Sequence, residues 1–291
     1  MPGYLIAGTV LAVITTLALA WKWQLGVLRV GVFILALSMV TALVLSAADR
    51  LAHFTFVTGT LAMWGITVLA AVACLLAMFY RDPERAAPDR DDVIVSPADG
   101  RVIYVRPVPP GEVPVASKRG RAASLRELRG TSLCDTGATA IGISMNLLDV
   151  HVNRAPVAGR VQLSERMHGT FGSLRNPEMV GSNERVTTVI EAGDLQVAIV
   201  QIASRLVRRI VSFVSEGDEL RLGQRIGAIR FGSQVDLLVP AGTRITLAVQ
   251  AGDRLVAGRT IVGVVAGEPG ATGAFSRADG AAVASAARRD G

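Results

Sequence analysis

Gly232-Ser233, set within Arg230-Phe-Gly-Ser-Gln-Val-Asp-Leu-Leu-Val-Pro240, is the pair in this chain with the widest chemical reach. If the Ser233 hydroxyl is aimed at the Gly232 carbonyl, it can attack its own backbone and move the acyl group from nitrogen to oxygen. The resulting ester can eliminate to dehydroalanine, and hydrolysis then releases ammonia and leaves a pyruvoyl group on a new N-terminus. Such a carbonyl is an electrophile that no unmodified side chain offers. A Gly-Ser pair between apolar strand residues is ordinarily a bulge or a turn, so the rest of the chain must decide.

Self-cleavage needs a base near Ser233 and a group that orients it. The chain has three histidines. His53 lies between two apolar stretches, away from the polar half. His151 stands beside Asp149 and Asn153, an unusual polar density for a strand end, and His168 sits in Met167-His-Gly-Thr-Phe171. Asp99 falls in Pro97-Ala-Asp-Gly100, where the ordinary use is Asx-turn chemistry. A carbonyl that serves as an electron sink can come from pyridoxal phosphate or from pyruvoyl. Pyridoxal requires an activated lysine, yet beyond the apolar stretches only Lys118 remains, in a polar segment. The inventory therefore favours pyruvoyl. Arg208 and Arg209 lie in a polar cluster with Ser204 and Arg205; arginine holds carboxylate or phosphate bidentately, and serves in structural ion pairs as readily. Two cysteines, Cys74 and Cys134, form neither a disulfide framework nor a metal-ligand set, so no metal is expected.

The elements that must position these residues divide the chain in two. Tyr4 to Ala20, Leu25 to Ala48 and Val57 to Tyr80 read as apolar helices, three spans, with two as the alternative because the first is short. Lys22 and Arg29 flank the first loop, and Arg81, Arg85 and Arg90 follow the third span. The positive-inside rule then puts the remainder in the cytoplasm and the N-terminus outside. Residues 81–265 read as a β-rich α+β catalytic domain of barrel or sandwich type. Its expected strands are Arg101 to Val105, Ala140 to Met145, Thr187 to Glu191, Leu195 to Ile202, Arg209 to Val214, Val235 to Val239 and Arg244 to Val249, separated by Gly-Asp turns. Residues 107–134 read as a polar surface insertion, with Ala123 to Arg129 a short amphipathic piece or a solvated loop, and 266–291 as a disordered tail. The formal charge of +6 suits anionic headgroups. Nucleic acid fits poorly, because aromatic residues are scarce and not interleaved with basic ones.

Five motifs occur in a fixed order: Ser96-Pro-Ala-Asp-Gly100, Asp149 to Gly159, Asn183-Glu-Arg185, Ile202 to Ile210, and Phe231-Gly-Ser233. In that order the chain resembles the phosphatidylserine decarboxylase family over residues 79–265, particularly its short membrane-anchored, archaetidylserine-decarboxylase-like branch. Phe79-Tyr-Arg-Asp-Pro-Glu-Arg85 is similar to that branch's junction between anchor and enzyme. The resemblance implies cleavage between Gly232 and Ser233 into a β chain 1–232 and an α chain 233–291, with a covalent pyruvoyl cofactor derived from Ser233. It implies decarboxylation of phosphatidylserine in the cell membrane, through a Schiff base, to phosphatidylethanolamine and carbon dioxide. It also implies that Asp99, a histidine and Ser233 act together in self-cleavage. Many relatives carry two histidines three positions apart before a proline. Here the run is His151-Val-Asn-Arg154-Ala-Pro156, so Arg154 holds the second place; His151 ranks first as the base and His168 second. Arg154, Arg208 and Arg209 are the candidates for holding substrate, and a homodimer stays open. The rival readings are a non-catalytic, membrane-tethered lipoyl-like adaptor, or the same chemistry on archaetidylserine.

Overall fold

The computed structural model of the chain describes residues 2–23, 25–112, 115–118, 121–125, 128–129, 131–167, 184–203, 210–229, 234–241 and 245–266. It has two compact units, Met1–Arg81 and Asp82–Gly291.

The first unit is three helices: α1 (Gly3–Trp23), α2 (Val27–Ala52) and α3 (Phe56–Phe79). Each is long and apolar enough to cross a membrane. At 1.5 Å per residue even α1 reaches about 31 Å, the thickness of a hydrocarbon core. Small residues let the helices approach: a Cβ on Gly8 would lie 2.5 Å from Met63 Cβ, and one on Gly59 would lie 2.6 Å from the Tyr4 ring. The hydroxyls of Thr16 and Thr60 bond within their own helix, to the Ala12 and Phe56 carbonyls. Large apolar side chains such as Leu28, Leu43 and Leu69 point outward, the pattern expected where lipid replaces water. His53 caps α2 in a left-handed conformation (φ 47°), donating its N–H to the Asp49 carbonyl.

The second unit is built from short strands: β1 (Val93–Val95), β2 (Gly100–Val108), β3 (Val115–Lys118), β4 (Arg121–Ser124), β5 (Ala138–Ser144), β6 (Val152–Arg154), β7 (Gly159–Met167) and β8 (Arg185–Ala192). The run continues with β9 (Leu195–Ile202), β10 (Ile210–Ser212), β11 (Glu219–Leu220), β12 (Arg225–Ile229), β13 (Gln234–Pro240), β14 (Ile245–Leu247), β15 (Arg254–Leu255) and β16 (Ile261–Val265). One short helix, α4 (Ser132–Asp135), precedes β5. An eight-stranded antiparallel sheet runs β11-β7-β8-β9-β13-β5-β2-β15, and two three-stranded sheets, β10-β12-β6 and β1-β16-β14, accompany it. The central strands are those with the strongest runs of β-branched residues. β9 matches its expected range, β2 and β8 extend theirs, and β5 begins two residues earlier than expected and ends one residue sooner. β7, where Val161 and Leu163 alternate with Arg160, Gln162 and Ser164 before the polar Glu165-Arg166 pair, is a strand that the expected set does not include.

Alternation along β13 sorts its side chains to two faces. Val235, Leu237 and Val239 enter the main core with Ile141, Ile199 and, from the smaller sheets, Ile94, Ile210 and Ile229. Leu238 and, from β9, Val200 join a second core on the other face, closed by Leu125, Leu128, Leu133 and Cys134. Those four residues are a correction to the reading of 107–134 as a polar surface insertion. The segment includes the β3–β4 hairpin, but its end supplies a lid of leucines over the sheet. Spacing of three between Leu125 and Leu128 was the available signal, diluted by the arginines around it. The tail beyond residue 266 lies outside the described residues.

Toward one end of that second face a polar row crosses three strands. Tyr104 on β2 donates to Asp236 Oδ2 on β13 (2.5 Å), and Gln234 Nε2 donates to Asp236 Oδ1 (2.7 Å). Gly142 on the intervening β5 makes this possible, since a Cβ there would lie 2.5 Å from the Tyr104 ring. Gly142→Ala is expected to destabilise the unit by about 1–3 kcal/mol through overpacking, read as a lower melting temperature; an unchanged value would show that the ring does not lie across β5.

Candidate functional site

Strand register brings the polar motifs to one end of the large sheet. Arg101 on β2 pairs with Ser144 on β5, Ser144 with Gln234 on β13, and Gln234 with Ile202 on β9. β2 and β13 therefore start at the same end, one strand apart, roughly 10 Å by ordinary strand spacing. Asp99 immediately precedes β2, and Ser233 immediately precedes β13 in the sequence. Gly100 holds φ at 150°, and a Cβ there would lie 2.3 Å from the Ser144 carbonyl oxygen, so only glycine lets β2 start this close to β5.

Asp99 is buried and fully engaged. Arg85 grips it bidentately, Nη1 to Oδ1 at 2.5 Å and Nη2 to Oδ2 at 2.9 Å. The backbone N–H groups of Ala257 (2.8 Å) and Val150 (3.4 Å) donate to the same carboxylate. The turn before it is held by Ser96, whose hydroxyl donates to the Ala98 carbonyl at 2.7 Å.

His151 is buried, and its Nδ1 lies 2.8 Å from the Asp149 carbonyl oxygen. A carbonyl only accepts, so Nδ1 carries the hydrogen, and in the neutral ring Nε2 carries the basic lone pair. The Asp149–Val150 peptide links Asp99 to the imidazole, its N–H on Asp99 and its C=O on His151. The Ile229 N–H, at the end of β12, donates to the His151 carbonyl (3.0 Å). The chain on one side of residues 230–233 is thus fastened to His151, and on the other it enters the sheet at Gln234. Asn153, two residues on, is completely buried, takes Gln201 Nε2 on Oδ1 (2.8 Å) and donates to the Pro97 carbonyl (3.3 Å). It ties β6 both to the sheet and to the Asp99 turn.

Arg154 is turned elsewhere. Its nearly enclosed guanidinium donates to the carbonyls of Gly223 (3.0 Å) and Pro83 (3.0 Å) and to Asp82 (3.3 Å). Burial lowers its pKa from the usual guanidinium value, Arg225 pushes the same way, and Asp82 opposes. Arg225 on β12 donates to Glu84 (2.7 Å) and Asp82 (2.5 Å), and those hydrogen bonds, Glu84's first, raise its pKa. Asp82, Glu84 and Arg85 therefore form a strap whose charges reach β6, β12 and Asp99. By sequence Arg85 is a charge flanking an apolar span and the last residue of the Phe79 to Arg85 motif, and the fold sets its side chain on Asp99. His168, Arg208, Arg209, Gly232 and Ser233 lie outside the described residues. Among the described residues no cluster of His, Cys, Asp and Glu could hold a metal ion.

Removing Asp82 would leave the buried Arg154 charge without its carboxylate. Asp82→Ala is expected to lower stability by about 1–3 kcal/mol, while Glu84→Ala, at an 85% exposed side chain, should leave the melting temperature unchanged. Equal effects from both would show that the strap is held by exposed charge alone.

Residues 72–263 match the family model described as phosphatidylserine decarboxylase. The chain is 41% identical over 191 residues to the phosphatidylserine decarboxylase proenzyme of Xanthobacter autotrophicus, covering 66% of this chain and 74% of that protein. It is 41% identical over 196 residues to the proenzyme of the same name from Erythrobacter litoralis, covering 67% and 74%. Against that of Geobacter sulfurreducens the identity is 35% over 202 residues, covering 69% and 82%.

Proposed function

Since the chain belongs to the phosphatidylserine decarboxylase family, we propose that it cuts itself between Gly232 and Ser233 and then decarboxylates phosphatidylserine to phosphatidylethanolamine. One observation carries the reading: the chain flanking residues 230–233 is bonded to His151 on one side and enters the sheet, at the end where Asp99 lies, on the other. A buried imidazole with Nδ1 committed as donor offers Nε2 as the base. It takes the Ser233 hydroxyl proton as oxygen attacks the Gly232 carbonyl, and returns a proton to the departing amide nitrogen. Asp99 fixes the peptide group that orients the ring. The relatives are named proenzymes, which supports a precursor that is processed before it works.

A pyruvoyl group derived from Ser233 suits this setting, because the base needed to form it is on hand and no lysine lies among the described residues of the site. Once formed, its carbonyl supplies the electron sink for loss of the carboxylate. The protein's own part is to hold the lipid's phosphate and exclude water. Arg208 and Arg209 remain the proposed phosphate ligands, whereas Arg154 is bound to the strap, which supports a role in holding the site together. The three apolar helices keep the enzyme where its lipid resides. The positive residues Lys22, Arg29, Arg81 and Arg90 support a cytoplasmic catalytic unit on the cell membrane. The adaptor reading has no support from the family found.

Self-cleavage has a direct readout. Purified protein is expected as chains 1–232 and 233–291, the latter blocked to amine sequencing and reactive with hydroxylamine-type reagents. Ser233→Ala should stay as one chain, and His151→Ala should be retarded far more than His168→Ala; the reverse order would move the base to His168. An active enzyme running only at full length would remove the pyruvoyl altogether.

Substrate choice follows from binding energy supplied by the phosphate and lipid. Labelled carbon dioxide should be released from phosphatidylserine in mixed micelles and not from free serine. Comparable rates on both would overturn the lipid reading.

A further inference from the structure

Arg85 is a buried charge that this chemistry leaves unused. Its side chain is 8% exposed, and both terminal nitrogens lie on the Asp99 carboxylate, with Nη1 also donating to the Ala257 carbonyl at 2.9 Å. A buried ion pair is a poor device for stability alone, because desolvation of the two charges offsets most of their attraction. This pair, however, sets the plane of the carboxylate whose Oδ2 accepts the Val150 N–H. The carbonyl of the same peptide group accepts from His151 Nδ1. A peptide whose N–H faces an anion has a more negative oxygen, so hydrogen bonds along such a chain strengthen one another. The strap carrying Arg85 is also held at Asp82 and Glu84 by Arg154 and Arg225. These arginines lie on β6, which follows His151, and on β12, which leads to residue 230.

We propose that Arg85 is a positioning residue for self-cleavage: it fixes Asp99, and through the Asp149–Val150 peptide it holds the His151 imidazole with Nδ1 as the donor. The segment that directly follows the last apolar helix is then a working part of the processing site, not merely a tether. The inference rests on the reading of Gly232-Ser233 as the scissile bond and His151 as the base.

The test follows processing of freshly translated full-length protein with time, with and without methylguanidinium at concentrations too low to denature. Arg85→Ala is expected to process roughly 10- to 100-fold more slowly, the scale on which misplaced catalytic groups act. Methylguanidinium should restore much of that rate, because it can occupy the vacated site on Asp99. Arg85→Lys should fall in between, and Asp99→Asn should be slow and not rescued. If Asp99→Asn is slow while Arg85→Ala keeps the wild-type rate, the role of Arg85 is overturned and the proposed function stands. If Asp99→Asn itself processes normally, the underlying reading of the site fails. Slowing in Arg85→Ala that neither methylguanidinium nor Arg85→Lys relieves would also overturn the proposal, since general loss of folding gives that result.

Discussion

A carboxylate taken out of water must be met by donors or give up its charge. Asp99 is met by four: two guanidinium nitrogens of Arg85 and two backbone N–H groups, from Ala257 and Val150. These partners come from the strap after α3, from the turn after β15 and from the loop after β5. Satisfying one buried charge therefore draws three distant stretches of chain to the start of β2. The position of His151 is a consequence, because its ring is bonded to the same peptide group that faces Asp99.

Around that point the sheet acts as a ruler. Antiparallel pairing through β5 makes β2 and β13 parallel to one another and starts them at the same end. Gly100 and Gly142 matter here for lack of a side chain: the first admits the Ser144 carbonyl and the second admits the Tyr104 ring. Both approaches are tight, and a Cβ at either place would move β2 relative to β13. Polar burial on both faces of this end, Asn153 with Gln201 on one and Asp236 with Tyr104 and Gln234 on the other, further restricts the register. A one-residue slip would turn each of these groups to the opposite face.

The helical unit obeys different physics. In lipid there is no hydrophobic force between helices, so close packing at Gly8 and Gly59 and the hydrogen bond from Trp64 Nε1 on α3 to the Thr15 hydroxyl on α1 take over. For an enzyme whose substrate is a membrane lipid, such an anchor replaces a search through solution by a search within the bilayer.

Much of this was legible in the sequence, and the division has a physical cause. Three long apolar runs have the length and composition of membrane-crossing helices, and β-branched runs such as Val197 to Ile202 favour strands through local sterics. Gly232-Ser233, Asp99 and His151 stood out because few residue types can perform the chemistry at issue. Less legible are residues whose surroundings are set by partners far along the chain. Leu125, Leu128 and Leu133 looked like parts of a polar loop until the sheet gave them a face to cover. Arg154 is a candidate substrate ligand by its place in the His151 motif, and only the fold shows that its side chain reaches back 72 residues to Asp82. Arg85 read as a flanking charge, and only the fold sets it on Asp99, itself bonded to a backbone N–H 158 residues onward. Local sequence encodes the preference of each segment for helix or strand. Which charge neutralises which is decided only when the whole sheet has closed and water has left.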